Sequence, residues 1–212
     1  MLGDKLSDGR TFGRGEDITG NERADIVVRE FTGGAHCCTT YRIYEISAEG
    51  ILTEIARIDA ENGGGFEDRD GDGFPEFILP DWTWAYELTC YACLRYPRVA
   101  LKFDGTTYTP SVDLMLETEP QAPDVATWMQ QAADDQVKIG NDPTSSAMRD
   151  QVWGAMLHLI YAGQAATAWA LHDAAWNDAW GNKIENLAKF KSIMHKSQFW
   201  SVINELNGGT LE

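Results

Sequence analysis

An acidic segment of nine residues that occurs twice, 51 residues apart, constrains the fold of this chain more than any other feature. One copy spans residues 17–25 and the other residues 68–76, and each has oxygen-bearing side chains at positions one, three, five and nine. An apolar triplet follows each copy, Ile26-Val27-Val28 and Phe77-Ile78-Leu79. Such triplets are typical of strands buried on both faces. Because a pattern at a fixed offset indicates an internal repeat, we expect two loops that each lead into a strand.

The second acidic segment has the ligand chemistry of a calcium loop. Its side chains supply four carboxylates, from Asp68, Asp70, Asp72 and Glu76, and Phe74 could add its backbone carbonyl. Calcium takes about six to eight oxygen ligands at about 2.3–2.6 Å, and alternating carboxylates on a tightly turned loop converge on one point. The sequence therefore predicts a calcium site on these five residues.

Two other interpretations of residues 68–76 compete with the calcium loop. An EF-hand needs flanking helices and an acid at position twelve, but that position is Leu79, inside an apolar run. An Asx-turn, whose side chains bond only backbone N–H groups, needs no metal and also accounts tolerably for residues 17–25. It accounts less well for four crowded carboxylates, because their mutual repulsion calls for a cation.

The first acidic segment matches the same pattern with fewer charges. Asp17, Thr19, Asn21 and Asp25 occupy the four ligand positions, and Arg23 could lend its backbone carbonyl. Calcium affinity falls with the number of charged ligands, so we predict a weaker site here.

Both segments resemble the FG-GAP or VCBS-type repeats of integrin α-subunit propellers and of bacterial extracellular proteins, in which Asp-x-Asp-x-Asp-Gly-x-x-Asp binds calcium between strands of a blade. Residues 68–76 match that motif with Glu76 in place of the last aspartate, and residues 17–25 match it loosely. The run Gly33-Gly34-Ala35-His36-Cys37-Cys38 also resembles uncharacterised bacterial exported proteins that combine such repeats with a helical tail. The resemblance covers residues 12–110. Two repeats cannot close a propeller, which needs about four blades or more, so it implies blade-like sheets only.

The hydrophobic period of the chain changes near residue 118. Before it, short β-branched runs lie between glycine-rich turns. Val99, Leu101 and Phe103 alternate with Ala100 and Lys102, as in a strand. After it, apolar residues such as Met148, Val152 and Met156 follow helical spacing. We predict an α+β protein: an antiparallel β region of two propeller-blade-like repeats with calcium loops over residues 1–118, and an all-α region over residues 119–212 packed on it.

Four cysteines form two local pairs, Cys37-Cys38 and Cys90-x-x-Cys93. An even count is typical of disulfides in an oxidising compartment, although a four-thiolate zinc site is an alternative. Local pairing needs no help from the fold, because residues three apart in a turn satisfy the distance that a disulfide requires. The alternative is a staple, a disulfide that joins Cys37 or Cys38 to Cys90 or Cys93. It would stabilise the fold by about 4 kcal/mol in the chain-entropy model, against little for a local disulfide. We expect local pairing, with the staple as the alternative.

The charge of the chain limits its partners. Thirty-three acidic and 17 basic residues give a net charge of −16, which repels nucleic acid and anionic membranes and favours cations. No apolar stretch approaches the roughly 20 residues that span a bilayer. Polar sequence follows Met1-Leu2-Gly3 directly, so we expect any native secretion signal to lie outside this sequence. With the cysteines, this predicts a periplasmic or secreted location.

Aromatic residues are concentrated in one segment, at Trp82, Trp84, Tyr86, Tyr91 and Tyr96. They could form a platform on which sugar rings stack, with the first four as its candidate members. The alternative is that they form the core face of a strand.

The leading functional hypothesis is a calcium-stabilised extracytoplasmic binding or scaffold module whose ligand is a glycan or a protein. No motif of a known catalytic class occurs, so we favour a protein that is not an enzyme and assign no catalytic residue. The runner-up is a hydrolase of an extracellular polymer, with its site between the β and α halves. A third hypothesis is a thiol-redox protein that uses Cys37 and Cys38.

Overall fold

The computed structural model describes residues 2–6, 9–117, 122–138, 140, 142 and 144–211, apart from the side chains of residues 122, 123 and 136. These residues form three small antiparallel sheets and six α-helices, which confirms the predicted α+β class. The chain divides into two compact units. We call residues 1–80 with 99–114 the β unit, and residues 81–98 with 115–211 the helical unit.

The β unit contains the three sheets. In the first, β1 (Asp4–Lys5) pairs with β2 (Thr11–Phe12). The second is a meander in the order β3 (Ala24–Phe31), β4 (Thr39–Ile46) and β5 (Leu52–Glu61). The third has the order β6 (Gly65–Glu67), β7 (Glu76–Pro80), β8 (Arg98–Phe103) and β9 (Tyr108–Pro110). Each acidic segment leads into a strand as expected, because residue 25 lies at the start of β3 and residue 76 begins β7.

The two apolar triplets differ in burial. Phe77, Ile78 and Leu79 are all buried in β7, which has a hydrogen-bonded neighbour on each side. In β3 only Val27 is fully buried, and Ile26 and Val28 are half-buried. The expectation of burial on both faces is therefore wrong for β3, an edge strand that has one face only partly covered.

An aromatic cluster forms the core of the β unit. The ring of Phe66, on β6, lies 4.9 Å from those of Phe12 and Phe77, 5.9 Å from that of Tyr41 and 6.1 Å from that of Tyr108, all edge to face. Edge-to-face contacts place the positive ring edge against a negative ring face. Because these rings come from all three sheets, the cluster joins them into one body.

The helical unit is built from five helices and three 3-10 turns. The helices are α2 (Ala122–Lys138), α3 (Ser146–Tyr161), α4 (Ala165–Ala175), α5 (Lys183–Met194) and α6 (Trp200–Leu206), and the turns are Trp82–Trp84, Tyr91–Cys93 and Asp178–Trp180. The short helix α1 (Val112–Met115) lies at the boundary along the chain, since the β unit ends at Leu114. Gly163 connects α3 to α4 with φ +82°, where a Cβ atom would lie 3.0 Å from the carbonyl oxygen of Leu206. Within the described residues, no helix combines the length and apolar character needed to cross a membrane.

A buried carboxylate ties the start of the helical unit to its helices. Asp81 is 1% exposed, and its Oδ2 accepts hydrogen bonds from the hydroxyls of Tyr161 and Ser197. Its Oδ1 accepts from the N–H of Thr83 at 2.9 Å, so both oxygens are bonded. Trp84 is fully buried and donates its Nε1–H to the Tyr161 hydroxyl at 3.0 Å.

The division of the chain into two units differs from the predicted one at residues 81–98. The predicted boundary between residues 118 and 119 lies outside the described residues. The segment 81–98, which falls inside the predicted β region, packs instead with the helices. The segment starts with a carboxylate whose hydrogen-bond donors come from α3 and from the α5–α6 connection, a long-range relation that local sequence patterns do not carry.

His172 lies in the aromatic core of the helical unit. It is 1% exposed, its ring is 4.9 Å from that of Trp176 and 5.7 Å from that of Trp153, and its Nε2 has no hydrogen-bond partner among the described residues. Burial lowers the pKa of His172 below its usual value of 6.5, Lys183 lowers it further, and Asp173 opposes them.

Acid is expected to destabilise the helical unit through His172. Because the folded-state pKa is lowered, the contribution of the neutral ring is fully present above about pH 6.5 and is lost as the pH falls below it. His172→Phe keeps an aromatic ring that cannot be protonated. Its free energy of unfolding in urea should therefore fall less than that of the wild type between about pH 7 and pH 5. Equal losses in the two proteins would contradict this role.

Candidate metal centre

The loop of residues 68–76 is folded by hydrogen bonds from its backbone to its own carboxylates. Asp68 Oδ1 accepts from Gly71 at 2.9 Å, Asp70 Oδ1 from Asp72 at 3.1 Å, and Asp72 Oδ1 from Phe74 at 2.8 Å. Gly71 and Gly73 adopt φ of +76° and +93°, which side chains disfavour. Each aspartate therefore uses one oxygen to shape the loop and keeps the other for a further contact.

Glu76 is the buried member of the cluster. It is 1% exposed, and its Oε2 accepts from the N–H of Arg69 at 2.8 Å, whereas its Oε1 has no hydrogen-bond partner. Burial raises the pKa of Glu76, the Arg69 N–H lowers it, and the charge of Asp70 raises it again. Leaving a buried carboxylate oxygen without a donor costs folding free energy, so this atom fits a cation.

Three carboxylates converge at this point. Asp68, Asp70 and Glu76 each offer an oxygen, and these atoms lie within 4.8 Å of one another. The donor set is made of hard oxygens alone, which suits calcium or magnesium rather than zinc or copper. The structure thus brings together three of the five residues that the sequence predicted for this site.

A lysine that the sequence analysis missed completes the cluster. The Lys102 ammonium, on β8, pairs with Asp70 Oδ2, lies 2.9 Å from Asp72 Oδ2 and is 3.4 Å from Glu76 Oε1. Its contact with Asp70 is the main cause that raises the pKa of Lys102 and lowers that of Asp70. The alternating apolar residues at 99–103 indicate a strand, but they do not show that this strand, β8, lies beside β7.

The first loop repeats part of this geometry. Asp25 Oδ2 accepts from the N–H of Ile18 at 2.9 Å, as Glu76 accepts from Arg69, and Asp17 Oδ1 accepts from Gly20 at 2.7 Å, as Asp68 accepts from Gly71. Asp25 is fully buried and its Oδ1 has no hydrogen-bond partner. Burial raises its pKa, and the Ile18 N–H and Thr19 hydroxyl oppose that rise.

The other side chains of the first loop are engaged with the protein. Besides Gly20, Asp17 accepts hydrogen bonds from the N–H groups of Thr19, Asn21 and Glu22. Asn21 accepts from the N–H of Arg23 at 3.0 Å, and the Arg23 guanidinium pairs with Glu45. The Asx-turn interpretation therefore describes the present contacts of this loop, and calcium binding by Asp17, Thr19, Asn21, Arg23 and Asp25 stays a prediction.

The two loops lie next to each other. A Cβ atom at Gly20 would be 3.1 Å from the ring of Phe74, the residue predicted to lend a carbonyl to the second site. A small cavity of about 40 Å³ is lined by Ile18, Thr19, Asp72, Phe74, Pro75, Glu76, Lys102 and Phe103. Residues of both loops and of β8 thus surround one space of atomic size.

All four cysteines are paired locally, as expected. Cys37 bonds to Cys38 with a Cα–Cα distance of 3.7 Å, and Cys90 bonds to Cys93 with a Cα–Cα distance of 5.1 Å. The first pair lies between β3 and β4, where Cys38 has φ +91°, and the second closes a 3-10 turn in the helical unit. These bonds leave no thiol for a four-thiolate zinc site.

Four of the clustered aromatic residues share one surface of the helical unit. Trp82 stacks in parallel on Tyr91 at 5.4 Å, and Tyr96 lies 4.6 Å from Trp82 and 5.6 Å from Tyr91. Tyr86 is 5.4 Å from Tyr91 and is 62% exposed. Trp84, predicted to belong to this platform, does not share the surface because it is fully buried against Phe190.

A comparison with known proteins finds a match to part of this chain. The "Uncharacterized protein y4bJ" of Sinorhizobium fredii (strain NBRC 101917 / NGR234) is 35% identical over 83 residues, which are 38% of this chain. The matched part is only 13% of the length of that protein. No protein-family model and no solved structure matches the chain. A match of this extent shows no family.

The contacts of Asp17 generate a prediction about the first loop. Asp17→Ala would leave several backbone N–H groups of the loop without an acceptor, at a cost of about 1–3 kcal/mol in free energy of unfolding. The loss should be the same in calcium and in chelator, because the two Asp17 oxygens already bond protein N–H groups. Asp17→Asn keeps one acceptor oxygen and should lose less. A loss that appears only with calcium would show that the first loop binds the ion.

Proposed function

We propose that this protein is a calcium-stabilised extracytoplasmic binding or scaffold module. The observation that carries the proposal is the buried Oε1 of Glu76, which has no hydrogen-bond partner, lies 3.4 Å from the Lys102 ammonium and belongs to a carboxylate that clusters with Asp68 and Asp70. Bound calcium would neutralise these carboxylates and hold the loop to the first residue of β7. We assign the ion a structural role, because it would join the loop to the strand that follows it.

The ligand set supports calcium over softer metals. Asp68, Asp70, Asp72 and Glu76 supply carboxylate oxygens, and the Phe74 carbonyl supplies a fifth ligand in the proposed site. Water would complete a shell of about six to eight oxygens. The two disulfides support an oxidising compartment, because such bonds persist outside the cytosol and are rare within it.

We also propose that the two loops belong to blade-like repeats. In each case a short extended segment precedes the loop and pairs with the strand that follows it. The Asp25 N–H donates to Glu16 O, and Glu67 lies opposite Glu76. Two further antiparallel strands follow, β4 and β5 after the first loop and β8 and β9 after the second. This shared order supports the resemblance to calcium-loop repeats.

Calcium is expected to raise the melting temperature, and a chelator to lower it. A ligand that binds only the folded state stabilises it by about 2.7 kcal/mol when its concentration is 100 times Kd. Asp70→Ala removes a ligand and should abolish most of this calcium-dependent shift. Differential scanning calorimetry in calcium and in chelator measures both effects.

The matched control is Asp113→Ala, which removes the same charge from an exposed position on α1. It should keep the full calcium-dependent shift. If the melting temperature of the wild type is the same with calcium and with chelator, the proposed calcium site is wrong. If Asp113→Ala loses the shift as Asp70→Ala does, the effect is one of net charge rather than of a site.

The aromatic cluster around Tyr86 favours a glycan as the ligand of the module. Tyr86 is exposed and Trp82, Tyr91 and Tyr96 are half-buried beside it, and sugar rings stack on such amphipathic rings through their apolar C–H groups. The Cys90–Cys93 disulfide lies in the same segment and restricts its backbone.

Tyr86→Ala should therefore weaken glycan binding while leaving the fold intact, because Tyr86 is 62% exposed. A loss of about 1 kcal/mol, roughly fivefold in affinity, is expected for one stacking ring. Binding of the full chain to an array of polysaccharides identifies a glycan, and titration calorimetry with that glycan measures the loss. Ile184→Ala, at an exposed apolar residue outside the cluster, is the control. Equal affinities of Tyr86→Ala and wild type would exclude this surface.

A further inference from the structure

We propose that Lys102 is a built-in competitor of calcium, whose ammonium neutralises the carboxylates of the second loop in the absence of the ion and is displaced when the ion binds. This inference rests on the calcium site proposed above and adds a regulatory residue to it. Lys102 lies outside the acidic segment, on β8, and no ligand role was predicted for it.

The competition follows from the oxygens that Lys102 contacts. Its Nζ pairs with Asp70 Oδ2, lies 2.9 Å from Asp72 Oδ2 and 3.4 Å from Glu76 Oε1. Asp70 Oδ1 and Asp72 Oδ1 accept backbone N–H bonds, and Glu76 Oε2 accepts from Arg69. The oxygens that Lys102 contacts are therefore among those that remain for a metal, and calcium would need them at about 2.3–2.6 Å. Asp68 Oδ2 also remains, and the Arg10 guanidinium lies 3.7 Å from it.

Two cations cannot share these oxygens without a cost. The ammonium and calcium would lie within a few ångströms of each other, where like charges repel strongly in a partly buried site. Calcium must therefore bind with the Lys102 side chain moved away. The affinity of the site is lowered by the free energy of the lysine contacts that are lost.

The position of Lys102 allows this exchange. Its side chain is 39% exposed, so the ammonium has a route to water, and its four-carbon stem is flexible. The Lys102 backbone is paired with Thr109 of β9 and does not depend on the side chain. The lysine can leave the loop without any change in the sheet.

The exchange also explains how four carboxylates can be close together without calcium. In the first loop the backbone N–H groups occupy both oxygens of Asp17. In the second loop the Lys102 ammonium offsets the charge of the carboxylates, and calcium, which has the higher charge, displaces it. Such a site responds where calcium is abundant and keeps its loop ordered where calcium is scarce.

The test is the calcium affinity of the full-length chain, measured by titration calorimetry on the wild type and on Lys102→Met. Removing the ammonium should raise the affinity about tenfold or more, and should lower the melting temperature in chelator because the carboxylates lose their counter-ion. Lys102→Arg keeps a cation and should bind calcium no more tightly than the wild type. Lys196→Met, an exposed lysine of the helical unit, controls for net charge and should leave the affinity unchanged.

The outcomes separate this inference from the function on which it rests. If the wild type binds calcium and Lys102→Met binds it with equal or lower affinity, the competition is wrong and the calcium module stands. If Lys196→Met gains as much as Lys102→Met, the gain is one of net charge and the competition is again wrong. If neither the wild type nor Lys102→Met binds calcium, both proposals fail. Binding by Lys102→Met alone would support the competition and overturn the calcium module in the natural chain.

Discussion

The β unit depends on one carboxylate buried at the end of each acidic loop. Asp25 and Glu76 are at most 1% exposed, and each accepts the N–H of the second residue of its own loop. Moving a carboxylate out of water costs several kcal/mol unless donors or a cation compensate it. The loop therefore wraps around the acid, and the acid fixes where the following strand begins. Loop and strand form as one unit for this reason.

Both loops must offset the negative charges of their carboxylates, and different groups do so in each loop. In the first, a hydroxyl from Thr19 and a ring of backbone N–H groups offset the charges of Asp25 and Asp17. In the second, aspartates replace the threonine and asparagine, which leaves too few donors for the charge present. The deficit is met by Lys102 or, as we propose, by calcium in its place. The substitution of carboxylates at positions three and five thus changes a self-contained turn into a site for cations.

Local patterns in the sequence predicted that each acidic segment is a turn that leads into a strand, because its hydrogen-bonding side chains lie within nine residues and its glycines permit the turn. The α+β class and the local pairing of Cys90 with Cys93 have the same origin. Lys102 was missed since it reaches the loop through a β7–β8 pairing that spans the insertion 81–98. The partial exposure of one face of β3 was mispredicted for a related reason, because it depends on which surface of another element covers the strand. The same dependence left open whether Trp84 belongs to the core or to the aromatic platform, and the structure places it in the core.

The buried carboxylates of the described residues differ in how many of their oxygens have hydrogen-bond donors. Asp81 has donors on both oxygens, from Tyr161 and Ser197 on one and from Thr83 on the other. Asp150 likewise bonds Thr89 through one oxygen and Arg149 through the other. Among the buried carboxylates of the described residues, an oxygen without a donor is found only in Asp25 and Glu76. The chain thus satisfies its buried acids elsewhere, and the oxygens at position nine of the two loops lack a hydrogen-bond donor. Only the second of these oxygens lies in a cluster of carboxylates, and it is there that we propose a cation.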